Sequence, residues 1–238
     1  LLVRHTVPVV VQAPLSQNLR HTKRQQKRRL ANQKSNFRVL RKTMETVDDD
    51  TVARFVALLE SKGIKAVVFD FDCTITIKHS SGRVRNERMD SYLQGNISPV
   101  FHKLLPCLLS RSFRVGVATF ADSYRAPVGY VAGEDLVRQH FKHYFDNDYK
   151  DVVPIVAAYP ANYQDEAHFS AIGLTGPMPN SKEYHLRLLA QQFGLEPPQV
   201  ALVDDDKNNI LAARAHKHPT VLVRDRDGLM VSDLVEPI

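Results

Sequence analysis

The chain has 238 residues, 43% of them hydrophobic, so it can bury a core and is not wholly disordered. No apolar run approaches the roughly 18 residues that a membrane-spanning helix needs, and two cysteines, Cys73 and Cys107, exclude a disulfide scaffold and suit a reducing interior. The net charge of +6 divides unevenly: residues 1–44 hold eleven Lys and Arg and no acid, whereas residues 45–238 carry a net −5. We therefore expect a folded domain over 47–238 behind a basic, non-globular arm over 1–46.

The arm cannot bury a core of its own. Pro8 and Pro14 interrupt its apolar start, and its second part, residues 20–42, is densely basic. We expect its basic side chains to dock the protein on a polyanionic partner, RNA or a ribonucleoprotein first of all, within a larger assembly. These side chains are Arg20, Lys23, Arg24, Lys27, Arg28, Arg29, Lys34, Arg38, Arg41 and Lys42.

The start of the chain also bears on its compartment. It does not begin with Met, and the arm is rich in Arg and free of acid up to residue 44. These features are compatible with an organellar protein from which a targeting segment has been removed. We expect an intracellular protein, with the mitochondrion as the favoured compartment and the cytoplasm as the alternative.

From residue 47 onward, apolar strands alternate with amphipathic helices. The predicted helices are 48–63, 98–111, 133–144, 181–193 and 207–216, with a last short helix near the C-terminus. The predicted strands are 64–72, 113–120, 152–158, 200–203 and 220–224. Pro106 is expected to disturb its helix, Pro154 argues against a central strand, and residues 159–180 are predicted to form a long loop. This alternation predicts an α/β fold with a doubly wound, mostly parallel sheet.

Two of the predicted strands end in groups suited to phosphate chemistry, at the edge of the sheet where ligands bind in such folds. The first ends in two carboxylates: Asp70 could attack phosphorus, and Asp72 could protonate the leaving oxygen and later activate water. The second ends at Thr119, whose hydroxyl and backbone N–H could hold phosphate oxygens.

Another strand ends in three consecutive carboxylates, Asp204, Asp205 and Asp206. So much clustered negative charge favours a hard divalent cation with oxygen ligands, Mg²⁺ above all. Lys182 lies at the start of a predicted helix, where its ammonium and the helix dipole would both face developing phosphoryl charge.

In this order, FDFDCT, VATF, a lone Lys opening a helix, and LVDDD resemble the four motifs of the haloacid dehalogenase superfamily of phosphohydrolases, over roughly residues 60–225. The resemblance implies that Asp70 is the nucleophile that forms an aspartyl-phosphate and that Asp72 is the general acid and base. It makes Thr119 the phosphate-binding hydroxyl and Lys182 the group that stabilises nucleophile and phosphate. The implied Mg²⁺ ligands are the carboxylates of Asp70, Asp204 and Asp205 and the backbone carbonyl of Asp72, and Asp206 could replace either neighbour.

The spacing of these motifs leaves no room for a full cap domain over the site. Between Asp72 and Thr119 lie 46 residues, and between Thr119 and Lys182 lie 62. An uncapped site is similar to those of family members that act on large substrates, such as phosphoproteins or polynucleotide ends. The residues expected to bind substrate are Thr74, Lys78 and His79. The entrance is expected to lie between the flap, residues Thr76 to Arg85, and the loop residues Tyr159, Tyr163, His168 and Phe169.

Two functions are compatible with these patterns. The first is a Mg²⁺-dependent phosphohydrolase that acts through an aspartyl-phosphate on a phosphomonoester of a large substrate. The alternative is structural: a subunit or assembly factor of a ribonucleoprotein, such as a mitochondrial ribosome, that uses the same fold and is anchored by residues 1–44.

Overall fold

The computed structural model describes residues 47–224 and 227–235, which lie within one compact unit. The basic arm lies outside the described residues, and so does every residue predicted to contact a polyanionic partner. In the part of the chain that is described, no helix combines the length and the apolar character needed to cross a membrane.

Seven strands form two sheets. They are β1 (Ala66–Phe69), β2 (Arg83–Arg85), β3 (Arg114–Thr119), β4 (Tyr130–Ala132), β5 (Ile155–Ala157), β6 (Val200–Asp204) and β7 (Thr220–Leu222). Five of them form a parallel sheet in the order β5-β3-β1-β6-β7, while β2 and β4 pair antiparallel in a small second sheet. The parallel sheet confirms the predicted fold class, and β5 lies at its edge, as Pro154 indicates.

Helices cover both faces of the large sheet. They are α1 (Asp49–Ser61), α2 (Met89–Leu93), α3 (Pro99–Ser110), α4 (Gly133–Phe145), α5 (Glu166–Ala171), α6 (Glu183–Phe193), α7 (Lys207–Ala215) and α8 (Val231–Leu234). Side chains alternate along β1 between the two faces of the sheet. Val67 and Phe69 pack in a core with α1, α3 and α4 on one face, and Ala66 and Val68 pack in a core with α6 and α7 on the other. Because both faces are covered, β1 is fully buried.

One glycine sets how closely α6 lies on the sheet. A Cβ at Gly116 of β3 would lie 3.1 Å from the side chain of Leu189 in α6. The missing side chain therefore lets the helix approach the strand, and this approach carries the N-terminal end of α6 toward the carboxyl edge of the sheet.

Three local features differ from the predictions. Residues 159–180 are not one loop, because a 3₁₀ turn (Pro160–Asn162) and α5 form there and pack around a small core that includes Tyr163, Met178 and Tyr184. Helix α3 runs through Pro106 without a break, since that ring lies on its exposed face. The small sheet was not predicted, because strands of three residues are too short to show a periodicity.

A buried histidine ties α4 to the segment that leads into α3. His140 is fully buried, and its Nε2 lies 2.6 Å from the backbone carbonyl oxygen of Asn96. Its Nδ1 has no hydrogen-bond partner within 47–224 and 227–235. Burial lowers the pKa of His140 to about 4, so the ring is neutral in the folded protein at neutral pH.

We expect the protein to lose stability as the pH falls from 6.5 to about 4. The unfolded chain binds a proton at His140 with a pKa near 6.5, whereas the folded protein does so only near 4. Above pH 6.5 the neutral ring makes its full contribution to the free energy of unfolding. Acidification to about pH 4 lowers that free energy by up to about 3 kcal/mol. Urea unfolding of wild type and His140→Gln at pH 7, 5.5 and 4.5 measures this. The variant should show the shallower pH dependence, and equal dependence in both proteins would contradict the assignment.

Candidate active site

A cavity of about 1010 Å³ lies at the carboxyl edge of the large sheet. Five of the predicted catalytic and metal-binding residues line it, namely Asp70, Asp72, Thr119, Asp204 and Asp205. The sixth, Lys182, is 1% exposed and reaches Asp70 from the protein interior. The structure therefore brings together residues that are up to 135 positions apart in the chain.

Asp70 is held directly at the end of β1. Its backbone N–H donates to the carbonyl of Val203 at 2.9 Å, which anchors it to β6. The ammonium of Lys182 donates to Asp70 Oδ1 at 2.8 Å and to the carbonyl of Ala118 at 2.7 Å, and it lies 4.1 Å from the centre of the Phe120 ring. These partners satisfy a buried cation. Asp70 Oδ2 accepts no hydrogen bond from the described residues, so this oxygen is available at the cavity floor.

Asp72 occupies a different environment, because the chain leaves the strand after β1. Residues Phe71–Ile75 form an irregular turn, closed by a hydrogen bond from the N–H of Thr76 to the carbonyl of Phe71 at 3.0 Å. Within it Asp72 is extended and Cys73 has a φ of +59°, a conformation that is uncommon for a non-glycine residue. The turn places Asp72 against Ser80 of the flap, whose N–H donates to Oδ1 at 2.8 Å and whose hydroxyl donates to Oδ2 at 2.7 Å.

The protonation of Asp72 reflects opposing influences. Burial is the largest and raises the pKa; the two bonds from Ser80 lower it, Asp70 raises it and His79, 3.6 Å away, lowers it. The balance leaves the pKa above the usual value for aspartate. A carboxyl with a raised pKa beside an anchored carboxylate is the arrangement that general acid catalysis requires.

The aspartate triplet divides into three environments. Asp204, the last residue of β6, is fully buried, and Asn209 Nδ2 lies 3.0 and 3.1 Å from its two oxygens. Burial, with repulsion from Asp70, raises the pKa of Asp204 to about 8, and the same two causes raise that of Asp205 to about 6. Asp206 is exposed and caps α7 by accepting the N–H of Asn208 at 2.7 Å. The helix cap thus occupies one oxygen of Asp206, while Asp204 Oδ1 also accepts the backbone N–H of Asp206 at 2.8 Å.

The predicted magnesium ligands are not assembled as a cluster of side chains. Within the described ranges, no group of three or more His, Cys, Asp and Glu side chains is arranged to hold a metal ion. The predicted donors are nevertheless all oxygens, and burial together with repulsion from Asp70 raises the pKa values of Asp204 and Asp205. Mg²⁺ commonly takes only one or two carboxylates and keeps several waters, so this donor chemistry fits that ion.

Thr119 ends β3 with its side chain buried at the cavity wall. Its Oγ1 accepts the N–H of Ala121 at 3.0 Å, and its carbonyl lies 3.2 Å from Nε2 of His185. The Ala121 bond uses the hydroxyl as an acceptor, so its proton can still be donated to a ligand in the cavity.

Two of the three predicted substrate-binding residues lie elsewhere. Thr74 is fully buried outside the cavity lining, and Lys78 donates from Nζ to the carbonyl of Gln94 at 2.9 Å. The turn after β1 ends the strand, which leaves these two side chains outside the cavity lining, and a role for them in substrate binding stays a prediction. His79 does line the cavity. Of the predicted loop residues, Tyr159 lines it as well, whereas Tyr163, His168 and Phe169 do not.

Several supporting residues escaped sequence reasoning. Ser80 holds Asp72, Asn209 holds Asp204, and Phe120 lies under the ammonium of Lys182. Of these three residues, only Asn209 is marked by a sequence pattern, because it lies in the first turn of the helix that follows the aspartate triplet. Ser80 acts through the fold of the flap, and no local pattern marks it.

Comparison with known proteins finds no matching family model and no matching curated protein. Solved structures do match. A hypothetical protein from Xanthomonas campestris is 16% identical with a TM-score of 0.41, over 80% of this chain and 85% of that one. A haloacid dehalogenase-like hydrolase from Streptococcus pneumoniae is 16% identical with a TM-score of 0.38, over 73% and 90%. A predicted phosphoglycolate phosphatase from Haemophilus somnus is 14% identical with a TM-score of 0.34, over 73% and 92%. Because the identities and TM-scores are low, the activity is inferred from the site itself.

We expect Lys182→Met to lower the free energy of unfolding by about 3 kcal/mol or more, because the substitution leaves Asp70 buried without its cation. Urea unfolding at pH 8 measures the change. Lys142→Met, on the exposed face of α4, is the matched control and should stay within about 0.5 kcal/mol of wild type. Adding Asp70→Asn to Lys182→Met should restore part of the loss. A Lys182→Met protein as stable as the control would contradict the proposed pairing.

Proposed function

We propose that this protein is a Mg²⁺-dependent phosphomonoester hydrolase that transfers the phosphoryl group to Asp70 before water releases it. One observation carries the proposal. Asp70 has one oxygen fixed by the buried ammonium of Lys182 and the other available in the cavity, beside a second carboxyl, Asp72, whose pKa is raised. An anchored carboxylate next to a carboxyl that can hold a proton is the pair that covalent phosphoryl transfer needs.

The first step forms a bond between Asp70 Oδ2 and phosphorus and breaks the bond from phosphorus to the ester oxygen. The leaving oxygen keeps the electron pair and takes the proton of Asp72. The hydroxyl of Thr119 would donate to a phosphoryl oxygen, and the positive charge of Lys182, held against Asp70, would stabilise the negative charge on the phosphoryl group. Since Lys182 also holds Asp70 Oδ1, the nucleophile is positioned before the substrate arrives.

The second step returns Asp70 to its starting state. Asp72, now a carboxylate, takes a proton from water, and the water oxygen bonds to phosphorus. The bond from phosphorus to Asp70 breaks, and inorganic phosphate leaves. Ser80 keeps Asp72 in place through both steps, because its two hydrogen bonds reach both carboxylate oxygens.

The residues that would hold Mg²⁺ are Asp70, Asp204 and Asp205 through their carboxylates and Asp72 through its backbone carbonyl. When bound, the ion would supply positive charge to the phosphoryl oxygens and offset the repulsion among these carboxylates. Asn209 orients Asp204 from behind, as ligand-supporting residues do in metal sites.

The cavity supports a large substrate. The described residues form one compact unit and include no separate cap domain over the site. Tyr124 and Tyr159, which are 40% and 46% exposed, line the opening together with Arg125. An open cavity with aromatic and cationic walls suits the phosphorylated end of a larger molecule.

The basic arm adds a proposal of a different kind. Its support is charge alone: eleven Lys and Arg and no acid over residues 1–44 favour a polyanionic partner. Both the polyanionic partner and the alternative function in a ribonucleoprotein depend on this segment, which lies outside the described residues. They stay predictions, as does the mitochondrial location.

We expect Asp72→Asn to separate the two chemical steps. The phosphoryl group can move from p-nitrophenyl phosphate to Asp70 without an acid, because nitrophenolate is a good leaving group, but release from Asp70 still needs a base. Stopped-flow absorbance should show about one equivalent of nitrophenol per enzyme released quickly, followed by turnover about 10²–10⁴-fold slower than in wild type. An alkyl phosphate should give no burst with this variant.

Asp70→Asn is the matched control, because an amide cannot attack phosphorus, and it should show neither burst nor turnover. Asp135→Asn, on the exposed side of α4, should behave as wild type. Full steady-state activity of Asp70→Asn would refute the proposed nucleophile. If Asp72→Asn lost the same factor in turnover rate on p-nitrophenyl phosphate and on the alkyl phosphate, with no burst on either, the role of Asp72 would be refuted.

Magnesium binding has a readout that is independent of turnover. At about 100 times its Kd, Mg²⁺ should stabilise the folded protein by about 2.7 kcal/mol and raise Tm by about 5–10 °C. Asp204→Asn should lose most of this shift, because it removes the charge of a buried carboxylate, whereas Asp135→Asn should keep it. Differential scanning fluorimetry at pH 8 with and without Mg²⁺ measures the effect. A wild-type Tm that does not respond to Mg²⁺ would contradict the proposed cofactor.

A further inference from the structure

A second cavity of about 420 Å³ opens on the flap. His79, Ser81 and Arg83 line both this cavity and the first one. The two cavities therefore share a wall and lie next to each other.

The two cavities differ in charge. Six aspartates line the first. The second is lined by three arginines, Arg83, Arg85 and Arg88, and none of the described residues that line it is Asp or Glu. An anion is therefore attracted to the second cavity without the help of a metal ion.

Two of these arginines are held in place by one tyrosine. Strand β2 pairs with β4 so that Arg85 lies opposite Tyr130. The guanidinium carbons of Arg83 and Arg85 lie 5.3 and 5.5 Å from the centre of the Tyr130 ring, and Arg85 Nε donates to the tyrosine hydroxyl at 2.8 Å. Stacking of this kind restricts the guanidinium planes before a ligand binds.

Two of the three guanidinium groups have donors to spare. Arg85 is partly neutralised by Glu87, 3.6 Å away. Neither the Arg83 nor the Arg88 guanidinium forms an ion pair or hydrogen bond with any described residue. Guanidinium groups match the geometry of phosphate oxygens, with which they can form paired hydrogen bonds.

We propose that the second cavity is an anion subsite that binds a second phosphate of the same substrate molecule whose first phosphate enters the cavity of Asp70. This inference rests on the proposed hydrolase function and narrows its substrates to phosphate monoesters that carry another phosphate group. Two sources share that chemistry, a bisphosphorylated small molecule and a terminally phosphorylated oligonucleotide with its adjoining phosphodiester.

Steady-state kinetics on matched substrates tests the subsite. Adenosine 5′-monophosphate carries one phosphate, whereas adenosine 3′,5′-bisphosphate and a 5′-phosphorylated adenosine dinucleotide carry two. Arg88→Gln alters a residue that lines only the second cavity, and Arg85→Gln/Arg88→Gln removes two positive charges, neither of which lines the first cavity. We expect the double variant to raise KM about tenfold for a two-phosphate substrate and less than twofold for the monophosphate. Arg88→Gln alone should raise the same KM by a smaller factor.

Arg187→Gln is the matched control, because that arginine also stacks on a tyrosine, at 5.7 Å from the ring of Tyr184, yet lines neither cavity. The KM of Arg187→Gln for each substrate should equal that of the wild-type protein. A rise confined to the dinucleotide identifies an oligonucleotide end as the ligand, and a rise confined to the bisphosphate identifies a small molecule. An unchanged KM for both two-phosphate substrates, or an equal rise for the monophosphate, overturns the subsite.

A binding measurement separates this inference from the hydrolase proposal. If the wild-type protein releases no phosphate from any of these substrates, the hydrolase proposal fails for them and the subsite is judged by titration calorimetry with adenosine 3′,5′-bisphosphate. Binding about tenfold weaker to Arg85→Gln/Arg88→Gln than to Arg187→Gln supports the subsite. Equal affinities, or no binding to the wild-type protein, overturn it.

Discussion

The ion pair between Lys182 and Asp70 is the interaction on which the site depends. It joins residues 112 positions apart, with 1% and 11% of their side chains exposed. The pair requires α6 to lie close to β3. Gly116 permits this approach, because it has no side chain to meet Leu189 of α6. Folding of the sheet and assembly of the nucleophile are therefore one event, and an error in packing α6 would leave a buried charge uncompensated.

One buried ammonium does not balance the charge at this edge of the sheet. Burial, with repulsion from Asp70, raises the pKa values of Asp204 and Asp205. Such an arrangement opposes stability in the absence of a cation and favours binding of one, as expected where a fold gives up stability for function. The flap contributes opposite charge in a neighbouring cavity. Ser80 links the two regions, because it lines the arginine-rich cavity while it holds both oxygens of Asp72.

The parts of this architecture that follow from local patterns were predictable. Apolar strands that end in Asp70, Thr119 and Asp204 place these side chains at one edge of a parallel sheet, whatever the details of packing. The turn after β1 was not predictable, because nothing in its composition marks Cys73 for a left-handed conformation, and the positions of Thr74 and Lys78 depend on that turn. The pairing of β2 with β4 joins residues about 45 positions apart through three-residue strands, so it is a tertiary property. The arginine-rich cavity depends on that pairing and is likewise invisible in the sequence.

The most direct test of the account asks whether phosphate becomes bound to the protein during turnover. In a rapid-quench experiment with a ³²P-labelled monoester and Mg²⁺, label should appear on the protein and stay at a steady level while phosphate is released. The label should map to the peptide that contains Asp70. The label should be stable in acid and be removed by hydroxylamine, as expected of an acyl phosphate. The Asp72→Asn variant should accumulate the same label, because its second step is slow, and phosphate release by that variant with no label on the protein would show direct attack by water and contradict the role assigned to Asp70.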